Sequence, residues 1–269
     1  MRNASDARRY ARLTGAYALT LYGALAVALA GVIPAWLLVP IVPLVYLRLA
    51  LALHELMHAC PASGVPFFQR LAMVLETPLC LGYREHRAMH FLHHRFTATT
   101  RDPEFYQIRG GPVLAFCFAM IAPERSCTAW VRRRGVSTSL ALEASIRLAA
   151  FVAVLVINPG VFLVYWVSLR LSVGITSFVF HHVLHNRHGQ LGTFALPAAP
   201  VLVRAAGTIF GGEPMLILTE HERHHLWPRV RARDLPRLPN PLSVRCGAVP
   251  HEEGRTAGAM RAALPAERA

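Results

Sequence analysis

The residues best suited to chemistry in this chain are histidines, which recur at spacings that place several imidazoles on one face of a helix. Positions i, i+3 and i+4 of an α-helix lie side by side. Eight of the 14 histidines fall into three boxes with these spacings: His54 and His58; His90, His93 and His94; and His221, His224 and His225. A lone histidine near an apolar helix is more often a hydrogen-bonded core residue, but the three boxes together predict a metal site.

Neutral imidazole binds iron, zinc, copper and nickel. Two metals of ordinary coordination number need roughly eight to ten ligands. The three boxes provide eight, and the cluster from Phe180 to Asn186, with three further histidines, can provide the balance. Almost no carboxylate stands at a matching position, which excludes a carboxylate-bridged bundle of the soluble di-iron type. The spacing therefore predicts a nitrogen-rich dimetal site.

The elements that must position these boxes are membrane helices. The chain of 269 residues is 54% hydrophobic and 16% charged, which is too apolar for a soluble domain. No charged residue lies between Arg12 and Arg48. This uncharged segment is long enough for two tight membrane spans, which are predicted from about Leu13 to Val32 and from Trp36 to the first box.

A second hairpin is predicted over the apolar region Leu148–Leu169, where Asn158-Pro159-Gly160 marks a turn. One kinked span is the alternative, and it would place His181 on the opposite side of the membrane from His58. The segments 67–81 and 113–121 are too interrupted or too short to cross, so both are predicted to be interfacial helices. Arg132 to Arg134 are predicted to form a solvated basic loop.

The fold prediction is therefore an all-α membrane protein with about four transmembrane helices, in two hairpins, carrying a cytoplasmic helical cap. A single integral-membrane domain is expected over residues 1–238, followed by a poorly ordered tail over 239–269. The net charge of +13 comes from basic residues that flank the spans and fill the tail. This distribution favours the positive-inside bias over nucleic-acid binding. We expect both termini and the site to face the cytoplasm, in a bacterial inner membrane.

The order of the boxes, with His-His-Leu-Trp-Pro closing the last one, resembles the membrane fatty acid desaturase superfamily, which also holds acyl hydroxylases, acetylenases and carotenoid ketolases. The match covers roughly Leu51 to Leu238. The resemblance implies a four-helix stem, a cap and two histidine-bound irons that activate O2. It assigns ligand roles to the eight boxed histidines. In the family a further Asn-and-His pair completes the ligand set, and His181 and His185 have the spacing of that pair. His182 with Asn186 is the alternative pair.

The resemblance also implies partners. The substrate would be a lipid or an acyl chain on a carrier, and electrons would come from an external ferredoxin- or rubredoxin-like donor with its reductase, because the chain has no flavin, haem or iron–sulfur motif. No catalytic residue is predicted beyond the metal ligands. Glu55, Asp102, Glu220 and Glu222 are predicted acceptors for ligand N–H groups. Desaturation, to an alkene or alkyne, is the first expectation; hydroxylation or ketone formation on an acyl chain or carotenoid is the alternative.

Two other classes compete with this interpretation. His54-Glu55-Leu56-Met57-His58 also matches H-E-x-x-H, the signature of a zinc protease in which Glu55 would be the general base. That function would leave six boxed histidines unexplained. A metal transporter would carry ionisable residues at mid-membrane depth, and the first two spans have none.

Overall fold

The computed structural model describes residues 4–73 and 76–239, and the described residues up to Pro236 form one compact unit. The predicted tail lies outside the described residues from residue 240 onward. The molecule is mostly helical, as predicted. Its α-helices are α1 Ala4–Leu29, α2 Leu38–Ala59, α3 Phe67–Met73, α4 Tyr83–Phe96, α5 Phe105–Ile108, α6 Pro112–Met120, α7 Ala122–Arg134, α8 Thr138–Ile157, α9 Pro159–Ser177, α10 Pro200–Phe210, α11 Gly212–Thr219 and α12 His221–Leu226.

Within the described ranges, four helical segments are long and apolar enough to cross a membrane, which agrees with the predicted number of spans. They comprise α1, α2 with the 3₁₀ turn Ala35–Leu37 that precedes it, α8, and α9 with the π-helical turn Phe178–Val183 that continues it. The connection between α1 and α2 is short because Gly31 adopts a φ of +70°, a conformation that costs glycine little.

The second hairpin is confirmed: α8 and α9 are separate helices that meet at Asn158. The Asn158 side chain caps α9 by accepting a hydrogen bond from the Val161 N–H (3.1 Å), and Pro159 occupies the first turn, where its missing N–H costs nothing. The rings of Phe151 and Phe162 lie 6.1 Å apart across the hairpin. The kinked single span is therefore excluded.

Two arginines close to this turn in sequence each have an ion-pair partner. Arg147 is buried in α8, where it pairs with Glu143 (3.7 Å) and donates to the Cys80 carbonyl (3.0 Å). Arg170 of α9 pairs with Glu124 of α7 at 2.8 Å. Charged side chains inside apolar helices are tolerated when partners are supplied in this way.

The largest core cluster lies where α1, α2 and α9 pack together, with Leu21, Leu38, Leu49 and Leu169 almost completely buried. The C-terminal ends of α2 and α9 lie side by side, since the ring of His54 is 5.7 Å from that of Phe180. The packing of α2 on α9 therefore brings the first histidine box next to the 181–185 cluster.

The shorter elements differ from the sequence prediction in three places. Only Phe67–Met73 of the predicted helix 67–81 is helical; Pro78 disfavours helix for itself and its predecessor, and residues 74 and 75 lie outside the described ranges. Arg132–Arg134 are exposed as predicted, but they form the last turn of helix α7 and not a loop. The helix stops before Gly135, which adopts a φ of +77°. A small hairpin of β1 Asn186–Arg187 and β2 Gln190–Leu191 adds a strand pair to the all-α prediction.

Candidate metal centre

Four parts of the chain bring their histidines to one place: the end of α2, α4, the segment that follows α9, and α12. Ligand-capable nitrogens gather in two groups, within each of which all the nitrogens lie within 4.8 Å of one another. The first group consists of His54, His58, His90, His94 and His224. The second group consists of His93, His185 and His225.

Each ring of the second group is held through its Nδ1 atom. His93 Nδ1 lies 2.9 Å from Asp102 Oδ2, and His185 Nδ1 donates to the Gly192 carbonyl at 2.8 Å. His225 Nδ1 lies 3.0 Å from the Thr97 hydroxyl, which itself donates to the His93 carbonyl (2.6 Å) and so accepts from the imidazole. Because Nδ1 carries the proton in all three rings, Nε2 presents a lone pair.

These lone pairs face one another at short range. His185 Nε2 lies 3.2 Å from His93 Nε2 and 3.1 Å from His221 Nε2. Two acceptors cannot hydrogen-bond to each other, so the pair of His93 and His185 requires a cation or an added proton between the rings. In the first group the ring nitrogens are as close to one another, with His90 Nε2 2.7 Å from His58 Nε2 and 3.1 Å from His94 Nε2.

A proton is a poor candidate for that cation because burial opposes it. Burial lowers the pKa of His90 and His94 well below the usual imidazole range, and the neighbouring histidines lower it further. The pKa values of His185, His221 and His225 are lowered for the same two reasons. Near pH 7 these rings are therefore neutral, which is the form that binds metal.

The spacing of the nitrogens fits metal coordination. Metal–imidazole bonds of about 2.0–2.1 Å separate adjacent ligand nitrogens by about 2.9–3.4 Å in octahedral or tetrahedral geometry. The Nε2–Nε2 distances of 3.1 and 3.2 Å match the edges of such polyhedra, and the 2.7 Å between His58 and His90 is slightly shorter. The residues present therefore fit a pair of metal ions with nitrogen-rich coordination.

The position of the histidines in the cluster from Phe180 to Asn186 depends on the π-helical turn Phe178–Val183, in which the Leu184 N–H bonds to the Val179 carbonyl five residues earlier. This turn directs His185 into the second group. His182 instead bonds through Nδ1 to the Ile108 carbonyl (3.2 Å), and Asn186 donates to the same carbonyl (2.8 Å). The alternative register of His182 with Asn186 is therefore placed away from the centre. Such turns often occur at functional sites.

The two remaining predicted ligands lie beside the second group rather than within it. His221 adjoins it through His185. The ring of His181 lies 5.4 Å from that of His93, and its Nδ1 donates to the Ser177 carbonyl at 3.0 Å. The ligand role of His181 stays a prediction, as do those of the nine others.

Of the four predicted carboxylates, Asp102 is the one that holds a ligand ring. Its buried side chain accepts from His93 and from the backbone N–H groups of Ala98 (3.0 Å) and Glu104 (2.9 Å). Glu55 Oε1 lies 3.5 Å from His54 Nδ1, too far for a good hydrogen bond. Glu220 pairs with Arg223. Among the described residues, Glu222 makes no hydrogen bond or ion pair with a ligand ring.

A cavity of about 150 Å³ opens on both histidine groups. Its apolar wall comes from α2 and α9, with Leu49, Leu53 and Val173. Its polar wall includes Glu104 and Gln107, which the sequence prediction missed. No motif marks these residues, since Glu104 belongs to a polar turn and Gln107 to the short helix α5.

Comparisons with protein-family models, with curated proteins and with solved structures find no match to this chain.

Proposed function

We propose that this protein is an O2-dependent di-iron membrane oxidoreductase that desaturates an acyl chain. The observation that supports it is the convergence of Nε2 atoms in two adjoining histidine groups, which lie at the C-terminal ends of two long apolar helices. The assignment of iron rests on the resemblance of the three boxes to membrane desaturases. Two bound irons would supply reductive activation of O2 and hydrogen removal from an unactivated C–H bond.

The chain's own residues perform the remaining tasks. His54, His58, His90, His94 and His224 would hold one iron, and His93, His185 and His225, with His221 beside them, would hold the other. Asp102 keeps His93 in the tautomer that binds metal. The apolar wall of the cavity excludes water and orients the alkyl segment, so that position rather than acidity selects the carbon.

Electrons would arrive from a separate ferredoxin- or rubredoxin-like protein with its reductase. The exposed arginines at the end of α7, Arg132–Arg134, offer a basic surface to an acidic donor. In this proposal the cap, both termini and the centre face the cytoplasm.

Two measurements test the proposal. Metal analysis of the purified chain is expected to find two irons; one zinc instead would support the H-E-x-x-H protease. Mass spectrometry of lipid extracts from expressing cells is expected to show loss of two hydrogens from an acyl chain. A gain of one oxygen alone would indicate hydroxylation instead of desaturation. A gain of one oxygen with loss of two hydrogens would indicate ketone formation.

The protease is less well supported by the geometry. Glu55 would have to act as a general base on a zinc-bound water, but it is 2% exposed and is not among the residues that line the cavity. His54 and His58 also share their group with three further histidines, whereas a catalytic zinc has three protein ligands and one open position.

A further inference from the structure

The polar wall of the cavity is a chain of hydrogen bonds that ends on one carboxylate. The Ser126 hydroxyl donates to Glu104 Oε1 at 3.2 Å, and the Gln107 amide donates to Glu104 Oε2. The Ser177 hydroxyl donates to Gln107 Oε1 at 2.9 Å. Two donors on one carboxyl group match the ionised, acceptor-only form of Glu104.

The donors of this hydrogen-bond network are used within the protein, whereas some of its acceptor positions stay open. The Tyr106 hydroxyl lies 3.2 Å from Ser126 Oγ and 3.3 Å from the Ala122 carbonyl, so it donates within the protein, as do the hydroxyls of Ser126 and Ser177. An ionised carboxyl group accepts about four hydrogen bonds, and the side chains of Ser126 and Gln107 give Glu104 two. A molecule that reaches this wall therefore meets free acceptor positions.

The network is rigid and joined to the metal centre. Gln107 is 1% exposed, which makes its orientation costly to change. The carbonyl of Ser177 holds His181 Nδ1 at 3.0 Å, and His181 lines the same cavity. A group bound at Glu104 would thus lie in the cavity onto which both histidine groups open.

The charge of the cavity wall is opposite to that of the chain. Although the net charge is +13, the charged residues that line the cavity are Glu76 and Glu104, with no lysine or arginine among the lining residues of the described ranges. Glu76 accepts a hydrogen bond from the Tyr46 hydroxyl at 3.1 Å. Carboxylate or phosphate end groups would be repelled by these carboxylates, and no lysine or arginine of the described lining offsets that repulsion.

We propose that Glu104 is a specificity-determining residue that binds a non-anionic hydrogen-bond donor, such as a hydroxyl, an amide N–H or an ammonium group, on a short alkyl or acyl segment. This rests on the proposed function and names the substrate class. The size follows from the cavity of about 150 Å³, since a protein cavity of that volume holds about six carbon atoms, as benzene does.

The test compares three six-carbon probes that differ only at one end: hexylamine, hexan-1-ol and hexanoate. Binding to the full-length protein in lipid nanodiscs is measured by saturation-transfer NMR, and empty nanodiscs correct for partition into lipid. We expect the amine and the alcohol to bind at least tenfold more tightly than hexanoate. Equal or tighter binding of hexanoate would overturn the proposal, whatever the variants do.

The matched variants are Glu104→Gln and Glu213→Gln. Glu104→Gln removes the charge with little change of shape and is expected to weaken hexylamine at least tenfold. Glu213 pairs with Arg9 at 2.9 Å and does not line the cavity, so its variant should bind as the unmodified protein does. An unchanged probe preference in a folded Glu104→Gln protein would also refute the assignment.

The metal content and O2 consumption of each sample separate this proposal from the proposed function. Glu104→Gln is expected to keep its metals, because Glu104 is in neither histidine group. If the protein lacks iron but shows the probe preference, the oxidoreductase proposal fails and the end-group specificity stands. If it holds two irons and consumes O2 but shows no probe preference, the oxidoreductase proposal stands and the end-group specificity fails.

Discussion

Replacing Asp102 with asparagine should weaken metal binding through His93, and the structure gives the reason. Asp102 Oδ2 accepts from His93 Nδ1 (2.9 Å) and the Ala98 N–H (3.0 Å), while Oδ1 accepts from the Glu104 N–H (2.9 Å). All three partners are donors. Asn has one oxygen, so its NH₂ group must face a donor in either orientation, and one orientation turns His93 into the wrong tautomer.

The size of the effect follows from this count. Losing a carboxylate that orients a metal-bound histidine typically costs 10- to 100-fold in metal affinity, or about 1.4–2.8 kcal/mol. A buried donor left facing a donor adds about 1–3 kcal/mol of lost folding stability. The affinity is measured by competition with a chelator of known strength, followed by metal analysis, and the stability by unfolding in detergent.

Glu222→Gln is the control for Asp102→Asn. Glu222 also belongs to a helix with ligand histidines, but among the described residues it contacts no ligand ring, so its variant should keep normal metal affinity. The reasoning would be refuted if Asp102→Asn bound metal as tightly as the unmodified protein, or if Glu222→Gln lost as much.

Two further predictions concern stability. The metal-free protein should lose stability as the pH falls below about 6.5, because the histidines of the unfolded chain then take up protons, whereas the buried histidines of lowered pKa in the folded protein do not. The free energy of unfolding should fall by up to about 1.4 kcal/mol per pH unit for each ring. A melting temperature that is the same at about pH 7.5 and pH 5.5 would contradict this. Arg147→Met should cost about 3–5 kcal/mol by leaving Glu143 buried without its partner, and adding Glu143→Gln should recover much of that loss in the same unfolding assay.

The sequence predicted the parts of this molecule that depend on local pattern. The absence of charge from Arg12 to Arg48 predicts two spans, and Asn158-Pro159 predicts the second turn, because a cap and a helix-starting proline act within a few residues. The three boxes predict three ligand faces, since helical periodicity alone places their rings together. The structure brings all of these boxed rings together.

The parts that the sequence could not predict depend on contacts between distant residues. The choice of His185 over His182 follows from a π-helical turn stabilised where the segment meets the Ile108 carbonyl. Glu220, like Asp102, lies near a histidine box in the sequence. Among the described residues, its side chain nevertheless pairs with Arg223 and not with a histidine ring. The network around Glu104 joins three elements that are far apart in sequence, so no window of the chain contains it.

The two histidine groups are held by different means, and this difference can be tested. The second group is held by hydrogen bonds to individual rings, whereas the first depends on how α4 docks onto the end of α2. There the Tyr83 hydroxyl donates to the Cys60 carbonyl (3.0 Å), and Arg87 Nε donates to the Met57 carbonyl (2.8 Å). These carbonyls lie at the C-terminal end of a helix, where the backbone lacks internal partners and favours cations.

Arg87→Met keeps most of the side-chain bulk but removes the donor that ties α4 to α2. We therefore expect it to weaken one metal about tenfold, through His58 and His90 of the first group, and to leave the second metal bound. Asp102→Asn should do the opposite. If the two metals are the irons proposed above, chelator titrations followed by Mössbauer spectroscopy would show a different iron leaving first in each variant. Loss of the same iron in both variants would mean that the two groups form one inseparable unit, and the distinction drawn between them would be wrong.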